Sequence, residues 1–328
     1  MVPGTGLAVT GGEGARERET GSGAGPLRKL RACEWMLLVY LAITSLIALT
    51  RLSGQPTIRW VLVANALCAG LVWLFAQAPV GHTGRMLREL YPLMLLGALY
   101  PAIDILNDFG AVLVHDRTVR GWEMALFGTE LSQTWWQSSP SPFWSTVLHA
   151  AYFAYYPIVA APPIVFLILG RTADARRAVR WIFTSFLVCY LGFLVFPVAG
   201  PYYEFVRPDA WFTDNWPARL VYATLERGSA YGAAFPSSHV AATLVATAAA
   251  FRGSRRLGWI LLAPAVLLTV GVVYCQMHYG VDALAGIVVA IGVVLGWKLW
   301  ERSSESRVPS SRQGRAAALS PGTGNSEL

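Results

Sequence analysis

The chain has 328 residues, of which 55% are hydrophobic and 14% charged, against about a quarter charged in an ordinary soluble domain. That balance excludes a disordered chain and argues against a soluble globular one; it fits a polytopic membrane protein. The formal net charge of +7 points to nucleic acid only where the basic residues form a patch, and here they are spread between hydrophobic stretches.

Residues 1–34 are rich in Gly, Ala and charge and read as a disordered cytoplasmic tail. A membrane-crossing helix needs about 20 mostly apolar residues. Eight stretches qualify: 35–52, 58–79, 90–106, 143–169, 181–197, 237–251, 258–277 and 279–300. The first follows a 34-residue leader and precedes no small-x-small cleavage site, so it reads as a retained anchor. Residues 35–106 form a block of accessory transmembrane helices. Segment 107–142 interleaves Trp122, Leu126, Phe127, Leu131, Trp135 and Trp136 with Glu123, Glu130 and Gln133. An amphipathic helix lying in the outer interface gives this pattern, and so does a plain aromatic belt. Residues 143–302 hold the remaining spans, and 303–328, rich in Ser, Gly and Arg, read as a second disordered cytoplasmic tail. The expected fold is all-α, a polytopic transmembrane helix bundle of about eight spans. Cys33, Cys68, Cys189 and Cys275 sit in apolar settings and read as packing residues.

With both termini cytoplasmic and every stretch crossing, the inside segments carry 19 Lys and Arg and the outside segments 7. This is the positive-inside bias. It explains the net charge by topology and the anionic inner leaflet, and no nucleic-acid partner is expected.

Ionisable residues in or beside spans are costly and usually functional. Three polar sites fall at the outer face. Phe235-Pro236-Ser237-Ser238-His239 opens the sixth stretch. A helix start with free N–H groups is an anion site, though Ser237 or Ser238 is also simply a good helix cap. Between the last two stretches lies Tyr274-Cys275-Gln276-Met277-His278-Tyr279-Gly280-Val281-Asp282. If the last helix starts near His278, then His278 and Asp282 share one face. The carboxylate would fix the imidazole tautomer and leave the other ring nitrogen to attack or take a proton, and a structural pair reads the same way. After the fifth stretch come Phe196-Pro197, Gly200-Pro201-Tyr202-Tyr203 and Arg207-Pro208. Arg207 is a fixed cation suited to phosphate or to a lipid headgroup. Asp104, at the outer end of the third stretch, could bind a polyol or headgroup or simply be solvated. Two histidines at one face, one on an anion-binding helix start and one with its own carboxylate, supply the parts that phosphoryl transfer needs.

These motifs resemble the type 2 phosphatidic acid phosphatase superfamily, with its Lys/Arg-Pro, Pro-Ser-Gly-His and Ser-Arg-x5-His-x3-Asp motifs. Pro236-Ser237-Ser238-His239 is similar to the second, with Ser238 for glycine. His278-x3-Asp282 is similar to the end of the third, with Gly271 and Val272 in place of Ser-Arg. Arg207-Pro208 keeps the end of the first, with Gly200 where its lysine stands. The departures resemble the inositol phosphorylceramide synthase-like phosphotransferase branch: Phe196-Pro197…Pro201, Pro236…His239 and Tyr274…His278-Tyr279…Asp282…Gly286. Upstream, Leu126-Phe127-Gly128…Trp135…Tyr152…Tyr155-Tyr156 is also similar, so the resemblance spans about 90–297. Many members carry an arginine where this chain has Tyr202.

The resemblance implies a catalytic core in the last four spans, within 143–302. It makes His278 the nucleophile of a phosphohistidine, Asp282 its orienting partner and His239 the acid and base. Ser237, Ser238, Arg207, Tyr202, Gln276 and Asp104 become candidate substrate-binding residues. No metal and no cofactor are expected. The expected partners are a lipid phosphate, an alcohol acceptor such as a polyol or lipid, and the bilayer. The implied activity is lipid phosphotransfer or lipid phosphate hydrolysis at the outer face. The short loops point to a bacterial inner membrane, with the site on the periplasmic side. An isoprenoid pyrophosphate phosphatase, a non-catalytic lipid or anion transporter and a degenerate lipid-binding member are the alternatives.

Overall fold

The computed structural model describes residues 30–77, 81–108 and 112–306. The two tails expected to be disordered lie largely outside these residues. The first helix, α1 (Ala32–Arg51), already begins within the expected N-terminal tail, and the last continues to Ser306. Among the described residues the chain is helical, apart from one 3-10 turn and one isolated bridge.

Among the described residues, seven segments are long and apolar enough to cross a membrane. Three come first: α1, α2 (Arg59–Gln77, extended by the 3-10 turn from Pro56) and α3 (His82–Asn107). Two short helices follow, α4 (Asp116–Phe127) and α5 (Leu131–Ser138). The fourth span, the stretch 143–169 that Pro157, Pro162 and Pro163 are expected to break, is two helices end to end, α6 (Pro142–Phe153) and α7 (Tyr155–Ile168), while Pro162 and Pro163 lie inside α7. Pro157 accounts for the break. It has no N–H and its ring crowds the carbonyl four residues back, at Phe153, where α6 ends.

Next come α8 (Thr172–Val195), the most enclosed span, and three short helices: α9 (Pro201–Glu204), α10 (Ala210–Thr213) and α11 (Trp216–Gly228). The expected sixth span is α12 (Ser238–Gly253), of 16 residues. At about 1.5 Å per residue it is shorter than the roughly 30 Å hydrocarbon layer. It is instead a central post, packed by α7, α8, α13 (Arg255–Tyr274) and α14 (Gly280–Ser306). Its run of Ala and Thr lets these neighbours approach closely. A Cβ added to Gly286 of α14 would lie 2.7 Å from the Ser237 carbonyl at the start of α12, so glycine there sets the spacing of the two helices.

The bundle end remote from the histidines is locked by ion pairs. Arg31 meets Glu89 at 3.1 Å, Arg88 meets Glu34 at 3.0 Å, Arg176 meets Glu89 at 2.6 Å and Arg180 meets Glu301 at 2.6 Å. They tie together α1, α3, α8 and α14. Glu34 and Glu89 are buried, so losing one partner would strand a buried charge. Trp35, Leu46, Trp60, Leu67 and Trp73 of α1 and α2 face outward, as lipid-facing residues do. The four cysteines are buried and unbridged.

Candidate active site

The opposite end gathers four stretches of chain. The segment after α8 pairs with the segment before α12 through a parallel bridge, Val198 with Ala233, in which Ala234 N donates to Val198 O at 2.9 Å. Gly200 makes the tight return there at φ +89, and a Cβ on it would lie 2.7 Å from Ala234 Cβ. Only glycine fits that conformation and that gap.

Ser237 caps α12. Its hydroxyl accepts from Val240 N at 3.4 Å, and its own N–H donates to Asp282 O at 3.0 Å. The N–H groups of Ser238 and His239 lie in the first turn and have no partner within the helix. The turn from Cys275 to Tyr279 is folded tightly onto the end of α13: the N–H groups of Met277 and His278 both donate to Val272 O, at 3.0 and 2.8 Å. α14 begins only at Gly280. His278 therefore precedes the helix, and its meeting with Asp282 comes from this turn rather than from a shared helical face. His278 Nδ1 lies 3.4 Å from Asp282 Oδ2, which also accepts from Tyr279 N at 2.8 Å.

The two histidines face each other. His278 Nε2 is 3.5 Å from His239 Nδ1, with ring centroids 5.6 Å apart. The far nitrogen of His239, Nε2, meets the Tyr152 hydroxyl at 3.2 Å, and the Tyr155 ring packs 4.5 Å from the imidazole. A chain thus runs Tyr152–His239–His278–Asp282. Burial pushes His278 down to about 4, partly opposed by a hydrogen bond to the Ala234 backbone. Its imidazole is neutral at neutral pH.

His239 and Ser238 form one end of a cavity of about 670 Å³. Its walls are apolar and aromatic: Leu93, Gly97 and Tyr100 from α3, Tyr155, Val159 and Ile164 from α7, and Tyr190 from α8. Exposed Met94 and Ile164 mark where it reaches the outside of the bundle between α3 and α7. Such a cavity suits a hydrocarbon chain with its polar end at the histidines. The accessory block of the sequence reading thus supplies a wall of the cavity through α3.

The family model of the PAP2 superfamily matches residues 122–296, just over half of the chain. The chain belongs to the PAP2 superfamily. No curated protein and no solved structure matches it. In this PAP2 superfamily protein the matched region starts inside α4 and ends inside α14, so it leaves out α1 to α3.

Several sequence-predicted residues lie elsewhere. Arg207 does not reach the histidines. Its guanidinium donates to Glu226 at 3.0 Å and to the Tyr202 hydroxyl at 3.1 Å, and it stacks over the Tyr202 and Tyr222 rings. Tyr202 is thereby occupied with Arg207. Among the described residues lining the large cavity, none is Lys or Arg. Asp104 lines no part of it; its carboxylate accepts from Tyr231 N at 2.8 Å and holds the loop before α12. Gln276 borders a second, smaller cavity.

In the segment expected to lie in the interface, the fold turns carboxylates inward. Glu123 and Asp116 of α4 point inward and are buried, while Trp122 and Leu126 are exposed. The reason is that the two carboxylates serve the site's backbone. Glu123 accepts from Gly280 N and Val281 N, both at 3.0 Å, capping α14. Asp116 accepts from Ala199 N at 2.7 Å, Gly200 N at 2.8 Å and the Tyr279 hydroxyl at 3.1 Å. Burial raises the Glu123 carboxyl above the ordinary range, and the Val281 and Gly280 N–H groups draw it back. Glu123→Gln leaves one of these donors facing an amide, which costs about 1–3 kcal/mol. The expected result is a melting temperature lower by several degrees in detergent, measured by differential scanning fluorimetry. A variant that melts like wild type would deny Glu123 its capping role.

Proposed function

We propose that the protein is a lipid phosphotransferase or lipid phosphate phosphatase working through a phosphohistidine. The observation that carries this reading is the facing pair, His278 Nε2 to His239 Nδ1 at 3.5 Å, with Asp282 behind one and Tyr152 behind the other, at the end of a chain-sized apolar cavity. The lipid tail enters from the bilayer between α3 and α7 and sets the phosphate against His278 Nε2 and His239 Nδ1 at the start of α12. His278 Nε2 attacks phosphorus, the bond from phosphorus to the lipid oxygen breaks, and His239, neutral in the buried site before the lipid binds and protonated by the proton that the phosphate monoester brings in, gives that proton to the leaving oxygen through Nδ1. Water or an alcohol then attacks the phosphohistidine, His239 takes its proton, and His278 is released. The free N–H groups of Ser238 and His239 at the positive end of α12 hold the phosphoryl oxygens. With Arg207 paired elsewhere, backbone carries the grip that an arginine supplies in other members of the resembled family. The inositol phosphorylceramide synthase-like motifs favour transfer to an alcohol, at the periplasmic face of a bacterial inner membrane.

The test uses purified protein in detergent with radiolabelled lipid phosphates and isoprenoid pyrophosphates. Acid-labile label on the protein, released faster by added alcohols and recovered in a new ester, is the result expected of a transferase. Release as inorganic phosphate, indifferent to alcohols, identifies a phosphatase. Neither label nor turnover with any donor, from protein that still binds vanadate, would return the reading to a binding or transport role.

The pH profile is a second check. Attack needs His278 unprotonated, and burial places it near 4, below the ordinary 6.5. The neutral form therefore persists above that value and is lost as pH falls through it. The acid limb of kcat/KM should lie well below pH 6.5; a limb at or above 6.5 contradicts a buried neutral nucleophile.

A further inference from the structure

Five tyrosines line the large cavity: Tyr100 from α3, Tyr152 from α6, Tyr155 and Tyr156 from α7, and Tyr190 from α8. A phenol ring suits an apolar wall, but its hydroxyl needs a partner once water is excluded. Three of these hydroxyls have one within the protein. That of Tyr152 meets His239 Nε2 at 3.2 Å, that of Tyr100 accepts from Ala230 N at 3.3 Å, and that of Tyr190 donates to Leu96 O at 3.5 Å. Those of Tyr155 and Tyr156 have none among the described residues. Tyr156 is half-exposed. Tyr155 is turned inward: its ring packs 4.5 Å from the His239 imidazole and 6.3 Å from the Phe186 ring of α8. Its hydroxyl oxygen is not sealed by protein and opens on the cavity.

We infer that Tyr155 is a substrate-contact residue: its hydroxyl donates to an acyl carbonyl oxygen of the lipid, and the site thereby selects lipids whose tail is joined through a carbonyl over lipids that are hydrocarbon up to the phosphate. The inference rests on the phosphohistidine reading for the place of the phosphate.

Tyr152 and Tyr155 stand on either side of the break at Ala154, and both rings pack on His239, at 4.8 and 4.5 Å. One hydroxyl holds the imidazole; the other is left for the ligand. With phosphate against His278 Nε2 and His239 Nδ1, the first bonds of the lipid run past Tyr155 before its tail reaches Val159, Leu93 and Gly97. In an acylglycerol the carbonyl lies within those first bonds. A carbonyl oxygen accepts and a phenolic O–H donates, so the two match. A prenyl or alkyl chain offers no acceptor and leaves a buried donor unanswered, which is costly. A second phosphate is no better served, because the described lining of this cavity holds no Lys or Arg. Further along α7 the wall continues as Val159, Pro163 and Ile164, so on this helix the open polar contact is confined to the stretch beside the histidines.

The experiment compares binding of detergent-dispersed phosphatidic acid with that of its dialkyl ether analogue of the same chain lengths, which lacks only the carbonyls. Full-length His278→Ala protein is used, so that no turnover intervenes and a failure here is separate from a failure of the phosphohistidine reading, which the labelling test decides. Isothermal titration should show the ester bound about 5- to 10-fold more tightly, as one hydrogen bond to an otherwise unanswered donor predicts. With Tyr155→Phe added, which keeps the ring and removes the hydroxyl, the ester should bind no better than the ether, and binding of the ether should be unchanged. Tyr156→Phe on the same background should keep the preference. Equal binding of ester and ether by protein with Tyr155 intact overturns the inference, and that comparison needs no substitution at Tyr155. A preference that survives Tyr155→Phe overturns it too. So does a loss that falls equally on both lipids, which would make Tyr155 a phosphate contact or a support for His239, and so does the absence of saturable binding of either lipid.

Discussion

His278→Ala should abolish acid-labile labelling of the protein and lower turnover by about 10⁴- to 10⁶-fold, the scale on which removal of a catalytic nucleophile acts. His239→Ala should behave differently. It leaves His278 Nε2 free to attack, and the missing proton slows departure of the lipid oxygen by about 10²- to 10⁴-fold. Label should then still accumulate, most clearly with a donor whose leaving group needs no proton, such as a nitrophenyl phosphate ester. It should persist, because the base that activates water or alcohol is also gone. Quench-flow labelling of the two variants separates the roles. Equal loss of label in both would make the pair a single unit without divided tasks. Label surviving in His278→Ala would move the nucleophile to His239, whose Nδ1 lies 3.5 Å away in the same gap.

The histidine pair was legible because its signals are local. Pro236 to His239 are contiguous at a helix start, and His278 and Asp282 are four apart. What sequence cannot supply is the chain's return from a distance. Tyr152 reaches His239 across 87 residues, and Glu123 reaches Gly280 across 157. Tyr152 stood in the sequence only as part of a similar upstream stretch. Glu123 looked like the polar side of an interfacial helix; in the fold α4 exposes Trp122 and Leu126 and turns Glu123 and Asp116 to the buried backbone of the site. Arg207 failed for a related reason. A fixed cation near a phosphate motif reads as a phosphate ligand, and only the fold reveals the partner Glu226 that occupies it. Hydropathy found the long spans. The prolines of the fourth stretch announced a break, though only the fold puts it at Ala154 and leaves Pro162 and Pro163 inside α7, and hydropathy could not show that the sixth stretch folds as a 16-residue helix in the middle of the bundle.

In the proposed mechanism the same geometry lets a site whose described lining holds no Lys or Arg work on phosphate: the anion meets the positive end of α12, and the cavity behind it is apolar and aromatic. In such a low-dielectric setting each oriented N–H is worth more than in water. The remaining requirement is electrostatic: when His278 becomes phosphorylated at Nε2, its ring carries a proton at Nδ1 and positive charge, and Asp282 is the carboxylate that faces it.

Asp282→Asn tests that requirement. A single oxygen, Oδ2, meets both His278 Nδ1 at 3.4 Å and Tyr279 N at 2.8 Å, while Oδ1 is buried with no partner. An asparagine can place its carbonyl where Oδ2 was and its amide nitrogen in the unpartnered position. It therefore keeps the orientation of His278 and the turn while removing the negative charge. The expected result is a folded protein whose labelling rate falls about 10²- to 10⁴-fold, the range known for neutralising a carboxylate behind a catalytic histidine. Asp282→Ala removes charge and geometry together. It should be slower still and less stable, because Tyr279 N loses its acceptor in a buried place. Single-turnover labelling of the two variants, read beside their melting temperatures, divides the contributions. If the asparagine variant labels as fast as wild type and only the alanine variant is slow, Asp282 acts through shape alone, and the positive charge on the phosphorylated ring must be balanced by another group.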